Sequence, residues 1–202
     1  MFHHLLTERL RTGLCGMLKR CGPSFLRARI WDKEFNSGQW DYLDSTKDDY
    51  IYGYLQNYAA GGKILDMGCG SGNTGTELPY DSYSTYDGID ISTSAVRRAE
   101  KRSEMQGRQQ KNRYFIGDIL TFTPDEMYDV ILFRESMHYF STRKVVKILG
   151  QYKKHLTDTG VFVVRLCDRL RYWEILSVIR KRFRVLGEHP HPTTNAIIVI
   201  FR

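Results

Sequence analysis

Residues 63–72 read KILDMGCGSG, and this stretch decides the fold. Its first half is a short apolar segment that contains Asp66, which predicts a buried β-strand. Three glycines follow at alternate positions, Gly68, Gly70 and Gly72, and they let the backbone turn sharply and approach a ligand without a Cβ clash. In an open parallel sheet the ligand lies beyond the carboxyl ends of the strands, which is where this loop stands.

From residue 63 onward, predicted strands alternate with predicted helices. The strands cover residues 63–67, 86–91, 113–117, 128–133 and 161–166, and the helices cover residues 71–78, 92–106, 142–156 and 169–182. This alternation implies a parallel sheet with helices on both faces. Two final strands, 183–188 and 195–201, are joined by a turn that is too short for a crossover, so they should pair as a hairpin. The predicted class is α/β, with a doubly wound seven-stranded sheet of five parallel strands and a C-terminal antiparallel hairpin.

Two more acidic residues, Asp90 and Asp118, stand at the ends of the second and third predicted strands. With Asp66 they should lie along one edge of the sheet, because the carboxyl ends of parallel strands meet there. A carboxylate at position 90 can accept hydrogen bonds from both hydroxyls of a ribose. A nicotinamide-dependent enzyme would also use such a carboxylate, but the acidic residue directly before the glycine loop argues against that alternative.

On these residues, the segment from about 60 to 202 resembles the class I, Rossmann-like S-adenosylmethionine-dependent methyltransferases. The resemblance implies that S-adenosylmethionine is the cofactor and S-adenosylhomocysteine the product. It implies that Asp66 attracts the cofactor's ammonium through water, that Asp90 binds the ribose, and that Ile91, Asp118 and Ile119 surround the adenine. The cofactor-binding residues predicted on this basis are Asp66, Gly68, Cys69, Gly70, Gly72, Asp90, Ile91, Asp118, Ile119, Arg134, Trp40 and Tyr42.

The loop after the fourth predicted strand, residues 134–140, reads RESMHYF and is expected to hold the reactive end of the site. The backbone of Arg134 should border the cofactor. His138 is a candidate general base because the ordinary histidine pKa lies near neutral pH, and Tyr139 is a candidate wall of the methyl site because aromatic rings attract a sulfonium cation. His138 and Tyr139 are thus the candidate catalytic residues, with a structural histidine and simple aromatic packing as the alternatives.

The same loop bears on the methyl acceptor. It has neither the Asn/Asp-Pro-Pro-Tyr/Phe nor the Pro-Cys motif of the superfamily members that methylate nucleic-acid bases, and it resembles small-molecule enzymes such as the rhizobial N-methyltransferase that acts on chitooligosaccharides. We therefore predict methyl transfer to an oxygen or nitrogen atom of a small molecule or saccharide. An RNA or protein methyltransferase, which the net charge of +7 favours, and a non-catalytic cofactor-binding scaffold remain as alternatives.

Residues 1–60 are predicted to form a helical lid on a core that covers residues 61–202. Helices are predicted over residues 1–20, 24–36 and 45–60, and the aromatic residues between positions 31 and 42 favour Trp40 and Tyr42 as rings that close over the methionine end of the cofactor. A hydrophobic clamp between lid and core is the alternative. The first helix is basic and amphipathic, so peripheral contact of residues 1–22 with an anionic membrane is a second interpretation of that segment.

The composition of the chain restricts the class of protein to which it can belong. Hydrophobic residues make up 42% of the chain and charged residues 26%, as in ordinary globular proteins. The apolar runs are shorter than the ~20 residues that a membrane span needs, and the N-terminal stretch lacks the pattern of a signal peptide, so we expect a cytoplasmic location. The four cysteines form no Cys-x-x-Cys pair, from which we expect free thiols and no metal site.

Overall fold

The computed structural model describes residues 15–43, 46 and 49–202, and these contain a single seven-stranded sheet. The spatial order of its strands is β3-β2-β1-β4-β5-β7-β6. Neighbouring strands from β1 to β5 pair in parallel, while β7 pairs antiparallel with both β5 and β6. The predicted fold class is thereby confirmed. The strands are β1 Lys63–Met67, β2 Thr85–Asp90, β3 Asn112–Ile116, β4 Tyr128–Arg134, β5 Leu156–Leu166, β6 Val185–Pro190 and β7 Ile197–Phe201.

Helices cover both faces of this sheet. They are α1 Ser24–Asn36, α2 Ile51–Ala59, α3 Asn73–Glu77, α4 Thr93–Met105, α5 Thr142–Tyr152 and α6 Trp173–Arg182. Residues 15–21 are helical as well, but most of the helix predicted over residues 1–20 lies outside the described residues. In the part of the chain that the structure describes, no helix is long and apolar enough to cross a membrane.

The side chains of the central strands alternate between two hydrophobic clusters, one on each face of the sheet. Leu65 and Phe133 belong to the cluster beneath α5 and α6, whereas Ile64 and Leu132 belong to the cluster beneath α2 and α4. This period of two follows from strand geometry, in which successive Cβ atoms point to opposite faces. Because both faces are covered, β1 and β4 consist almost wholly of buried residues.

Several predicted helices are longer than the observed ones, and for three of them local hydrogen bonds or backbone angles explain the difference. Helix α3 begins only after Gly72, whose φ of +78° is not helical, and it ends before an extended residue that precedes Pro79. Helix α2 begins at Ile51, whose N–H donates to the Asp49 carboxylate at 3.1 Å. Helix α6 begins at Trp173, because the Asp168 carboxylate holds the preceding residues in a turn.

The C-terminal half of the sheet also departs from the sequence-based boundaries. Strand β5 starts at Leu156 rather than at residue 161. The predicted turn at 157–160 is instead a bulge within β5, because the pairing of β4 with β5 passes from Tyr128–Leu156 directly to Val130–Val161. Strand β6 runs on to Pro190, which shortens the predicted turn at 189–194, and its register with β7 shifts between Val185 and Gly187.

The close packing of the glycine loop against α4 yields a prediction about stability. A Cβ at Gly72 would stand 2.7 Å from the Cβ of Ala99, and its φ is +78°. We expect Gly72→Ala to lower the free energy of unfolding by about 2–4 kcal/mol, the sum of a left-handed backbone penalty and overpacking. Gly107 is a matched control, because its φ is +66° but a Cβ there meets no described atom within 4 Å. Urea unfolding followed by circular dichroism measures both variants, and equal losses would contradict the packing argument.

Candidate active site

The glycine loop after β1 is held at the carboxyl edge of the sheet by its neighbour β2. The N–H groups of Gly68 and Cys69 both donate to the carbonyl oxygen of Ile89, at 2.8 and 3.0 Å. Gly68 and Gly70 have φ values of +88° and +55°, which glycine adopts without strain. The side chain of Cys69 is buried beneath the loop, so the loop presents backbone to the cavity above it.

Asp90, at the end of β2, is bound by two backbone N–H groups. One carboxylate oxygen accepts from Gly70 at 3.0 Å, and the other accepts from Ser92 at 2.9 Å. The side chain is buried, and burial raises the pKa of Asp90 to about 6 in spite of these hydrogen bonds. The carboxylate therefore joins the glycine loop to the start of α4.

Asp66, within β1, is the more deeply buried of the two carboxylates. One of its oxygens accepts a hydrogen bond from the hydroxyl of Tyr86, and the other has no hydrogen-bond partner among the described residues. Burial raises the pKa of Asp66 to about 6. A buried carboxylate oxygen without a donor is costly, so this atom can accept a hydrogen bond from a ligand in the adjoining cavity.

Asp118, after β3, is covered by α1. One oxygen accepts from the hydroxyl of Ser24 and from the guanidinium of Arg27, and the other accepts from the N–H of Leu120 at 3.0 Å. Arg27 is a buried arginine, with 6% of its surface exposed, and its ion pair with Asp118 ties α1 to the rim of the sheet. The sequence analysis did not anticipate this pairing.

The carboxyl edge of the sheet and the segment above it enclose the main cavity. Its volume is about 150 Å³, and it is partly open to solvent. Most of its lining comes from the predicted site and from the aromatic residues near α1. The lining residues are Lys19, Arg27, Trp31, Phe35, Trp40, Leu43, Gly68, Gly70, Asp90, Ile91, Gly117, Asp118, Ile119, Arg134, Glu135, Ser136, Tyr139 and Phe140.

Arg134 ends β4, Glu135 follows it, and both line this cavity. The guanidinium of Arg134 pairs with Asp49 at 2.8 Å and donates to the hydroxyl of Tyr52 at 3.0 Å. Glu135 has a φ of +56°, and its carboxylate accepts from the guanidinium of Arg165 and from the N–H of residue 167 at 2.9 Å. A non-glycine residue in this conformation is held by its surroundings, here by the ion pair and the hydrogen bond.

His138 does not line the main cavity. It lines a neighbouring cavity with Arg20 and Tyr172, and its ring stacks on Tyr172 with centroids 4.8 Å apart. Its Nδ1 has no hydrogen-bond partner among the described residues and stands 3.7 Å from the Glu135 carboxylate. Burial, with Arg20 as a smaller cause, lowers the pKa of His138 to about 4, so the imidazole is neutral at physiological pH.

The donor atoms of Glu135, His138 and Cys167 lie within 4.8 Å of one another, which makes them the candidate metal ligands among the described residues. Burial, and after it the Glu135 carboxylate, raises the pKa of the Cys167 thiol to about 11. A metal ion requires the thiolate, and Glu135 is already paired with Arg165. Without a metal ion, the thiol of this group is therefore protonated.

The predicted site residues separate into three groups. Those that line the main cavity are Gly68, Gly70, Asp90, Ile91, Asp118, Ile119, Arg134, Trp40 and Tyr139. Asp66 and Cys69 line an adjacent cavity, which shares Gly68, Gly70, Trp40 and Arg134 with the main one. Gly72, Tyr42 and His138 line neither; Gly72 packs on α4, and Tyr42 is 70% exposed.

Among the lining residues that were not predicted as site residues are Lys19, Arg27, Trp31 and Phe35. The aromatic density of residues 31–42 was a signal for Trp31 and Phe35, and the ring of Phe35 lies over Gly70, where a Cβ would be 3.5 Å from it. Lys19 and Arg27 gave no local signal, because basic residues on a helix are ordinarily solvated.

Comparison with known proteins was consistent with this geometry. A family model described as a methyltransferase domain matches residues 59–191. The chain is 27% identical over 123 residues to the 27-O-demethylrifamycin SV methyltransferase of Amycolatopsis mediterranei, covering 57% of this chain and 45% of that one. It is 30% identical over 109 residues to the mRNA cap guanine-N(7) methyltransferase of Schizosaccharomyces pombe, and the match covers 50% of this chain and 30% of that one. The chain thus spans less than half the length of these curated relatives.

A solved structure with a similar fold is the N-methyltransferase NodS of Bradyrhizobium japonicum in complex with S-adenosylhomocysteine. The TM-score is 0.69, and the match covers 87% of this chain and 97% of NodS. At 18% identity, this likeness bears on the fold.

The raised pKa of Asp66 predicts a pH-dependent stability. Its folded-state pKa of about 6 lies above the ordinary 3.8, so its protonation stabilises the fold below about pH 4, and that contribution is lost as the pH rises through 6. Asparagine does not titrate. We therefore expect the stability of Asp66→Asn relative to wild type to improve by roughly 2–3 kcal/mol between pH 4 and pH 7.

Urea unfolding at a series of pH values measures this effect. The control variant is Asp158→Asn. Asp158 is exposed and lies near the start of β5, away from the carboxyl edge of the sheet. A stability difference between Asp66→Asn and wild type that stays constant over the same pH range would contradict the burial argument.

Proposed function

This chain belongs to the methyltransferase-domain family, whose cofactor is S-adenosylmethionine, and we propose that it transfers the methyl group of that cofactor to an oxygen or nitrogen atom of a small molecule or saccharide. The observation that carries the proposal is the main cavity, which the glycine loop, Asp90 and Asp118 line together at the carboxyl edge of the sheet. Ligands of open parallel sheets bind at this edge.

The residues present fit the cofactor. Asp90 would accept the ribose hydroxyls, and Ile91 and Ile119 would contact the adenine. Asp66 has a buried oxygen without a described partner, so it would take the ammonium of the methionine end, directly or through water. The family match, and not this fit, distinguishes the cofactor from a nicotinamide dinucleotide.

Asp118 is predicted to bind the adenine amino group, but residues of α1 already donate hydrogen bonds to its carboxylate. Ser24 and Arg27 of α1 donate to one carboxylate oxygen and the N–H of Leu120 donates to the other, so an adenine amino group would share this carboxylate with α1. This supports our proposal that the segment before residue 60 acts as a lid whose position depends on the cofactor.

When bound, S-adenosylmethionine supplies an electrophilic methyl group on a sulfonium. The role of the protein is then to position the acceptor atom about 3 Å from that carbon and to exclude water. The rings of Trp40 and Tyr139 line the cavity and suit a cationic neighbour. Arg134, fixed by Asp49 and Tyr52, borders the same space.

The roles of His138 and Tyr139 in proton transfer remain predictions. A pKa of about 4 leaves His138 neutral and free to accept a proton, but as a weak base. Burial raises the pKa of Tyr139, so its hydroxyl stays protonated and suits hydrogen-bond donation better than proton abstraction. An amine acceptor needs less help from a base than a hydroxyl acceptor does.

Methylation of RNA is the second candidate, because a partial relative acts on an mRNA cap and the net charge is +7. The loop at 134–140 lacks the base-methylation motifs described above, which favours the small-molecule interpretation. Protein methylation, a non-catalytic scaffold, a cytoplasmic location and membrane contact through residues 1–22 stay predictions; residues 1–14 of that segment lie outside the described part of the chain.

Calorimetry with S-adenosylhomocysteine tests the cofactor site. We expect the wild-type chain to bind it, and Asp90→Ala to weaken binding by about 1–3 kcal/mol, the scale of hydrogen bonds to a charged group. Asp158→Ala also removes a carboxylate, but near the start of β5 and away from the carboxyl edge of the sheet. It should bind S-adenosylhomocysteine as the wild type does. Wild-type affinity in Asp90→Ala would show that the ribose assignment is wrong.

Transfer of a labelled methyl group tests the acceptor class. S-adenosylmethionine carrying tritium in its methyl group is incubated with pools of amines, alcohols, saccharides, capped RNA and peptides. We expect label in a small-molecule or saccharide pool, and less of it with Asp90→Ala than with Asp158→Ala. Label confined to RNA or to peptides would replace the proposal with the corresponding alternative, and binding of S-adenosylhomocysteine without transfer to any pool would favour the scaffold.

A further inference from the structure

Three aromatic rings and one carboxylate surround the ammonium of Lys19 within the wall of the main cavity. The Nζ of Lys19 stands 4.0 Å from the ring centroid of Trp31, 5.7 Å from that of Trp40 and 5.9 Å from that of Tyr139. It also lies 2.6 Å from a carboxylate oxygen of Glu34. We call the four surrounding residues, Trp31, Glu34, Trp40 and Tyr139, the ammonium cage.

The cage is held together by contacts among its own members. The rings of Trp31 and Tyr139 meet edge to face, with centroids 4.8 Å apart and planes at 87°. Trp31 and Trp40 stand 5.7 Å apart, and the indole N–H of Trp40 donates to Glu34 at 3.2 Å. Glu34 is therefore oriented by the cage itself, in addition to its ion pair with Lys19.

This arrangement is selective for a cation. Aromatic faces attract a cation through their quadrupoles, and the Glu34 side chain, only 14% exposed, supplies the opposite charge. A neutral hydroxyl in the same place would gain little from the rings and would leave a largely buried carboxylate without a counter-charge. The ammonium of Lys19 thus supplies the cation that the aromatic rings and the Glu34 carboxylate favour.

The cage opens into the space where methyl transfer is expected. Its three aromatic residues and Lys19 line the same cavity as the glycine loop and Asp90. Resting on the proposed function, we propose that the ammonium cage binds the ammonium group of the methyl acceptor, which makes the acceptor an alkylamine, and that Lys19 occupies this site while the acceptor is absent.

On this proposal, Lys19 has to leave the cage when the acceptor enters. It lies in the helical residues 15–21, which are joined to α1 through Gly22 and Pro23. Neighbouring contacts of that segment are an exposed hydrogen bond from Arg20 to a backbone carbonyl at 3.3 Å and one from Lys144 at 2.9 Å. An acceptor that enters the cage replaces one ammonium with another, so Lys19 lowers the apparent affinity for the acceptor.

The probe is propylammonium, which restores the atoms that Lys19→Ala removes, and its neutral counterpart is 1-propanol. Titrations follow tryptophan fluorescence in the presence of saturating S-adenosylhomocysteine. We expect Lys19→Ala to bind propylammonium about tenfold more tightly than the wild type does, and more tightly than it binds 1-propanol. Adding Glu34→Gln to this variant should remove most of the gain.

Lys111→Ala is the matched control, because the Nζ of Lys111 also stands 4.0 Å from an aromatic centroid, that of Tyr80, but away from the cavity. It should bind propylammonium as the wild type does. Equal affinity of Lys19→Ala for propylammonium and 1-propanol would overturn the inference. Exclusion of propylammonium by S-adenosylhomocysteine would overturn it as well, because the cage would then belong to the methionine end of the cofactor.

A separate calorimetric titration with S-adenosylhomocysteine keeps the two proposals distinguishable. Binding by Lys19→Ala shows that the variant is folded and the cofactor site intact, so a failure of propylammonium then counts against the cage alone. Failure of the wild type to bind S-adenosylhomocysteine counts against the proposed function. For transfer, the bound ammonium gives one proton to the Glu34 carboxylate beside it, the freed nitrogen lone pair takes the methyl group, and the sulfonium becomes a neutral thioether. With labelled cofactor, transfer to alkylamines but not to alcohols of the same skeleton supports the cage, and the reverse preference contradicts it.

Discussion

The carboxyl edge of the sheet depends on the hydrogen bonds that compensate a buried carboxylate. Asp90 is held by the N–H groups of Gly70 and Ser92, and this is possible only because the loop after β1 folds back over the end of β2. Ser92 also caps α4, since its hydroxyl accepts from Ala95 at 3.1 Å, and it donates to Asp32 of α1 at 2.7 Å. Asp90 and Ser92 together thus link the glycine loop, the start of α4 and the helix above the cavity.

Local patterns in the sequence were sufficient for the sheet and for placing the three acidic residues near its carboxyl edge. Strand positions follow from apolar runs, and Asp66, Asp90 and Asp118 follow from their places at strand ends. The glycines are less specific, because Gly70-x-Gly72-x-x-Gly75 also fits the dinucleotide-binding spacing. The family match, rather than the loop, separates the two kinds of site.

The remaining features depend on pairs that are distant in sequence. Arg27 meets Asp118 across 91 positions, and Arg134 meets Asp49 across 85. No periodicity or motif encodes such a pair, because each partner by itself is an ordinary charged residue. The same holds for Lys19, whose burial among rings follows from how residues 15–43 cross the cavity. Part of the chain's positive charge is therefore neutralised internally instead of forming a solvated face.

The irregular strand β6 has a consequence for how copies of this protein meet one another. As the last strand of the sheet it exposes an edge, and such edges invite pairing with strands of other molecules. Its register shift near Val185 and its terminal Pro190, which has no N–H to donate, make that edge a poor template. Growth of the sheet by a further strand is thereby disfavoured at the β6 edge.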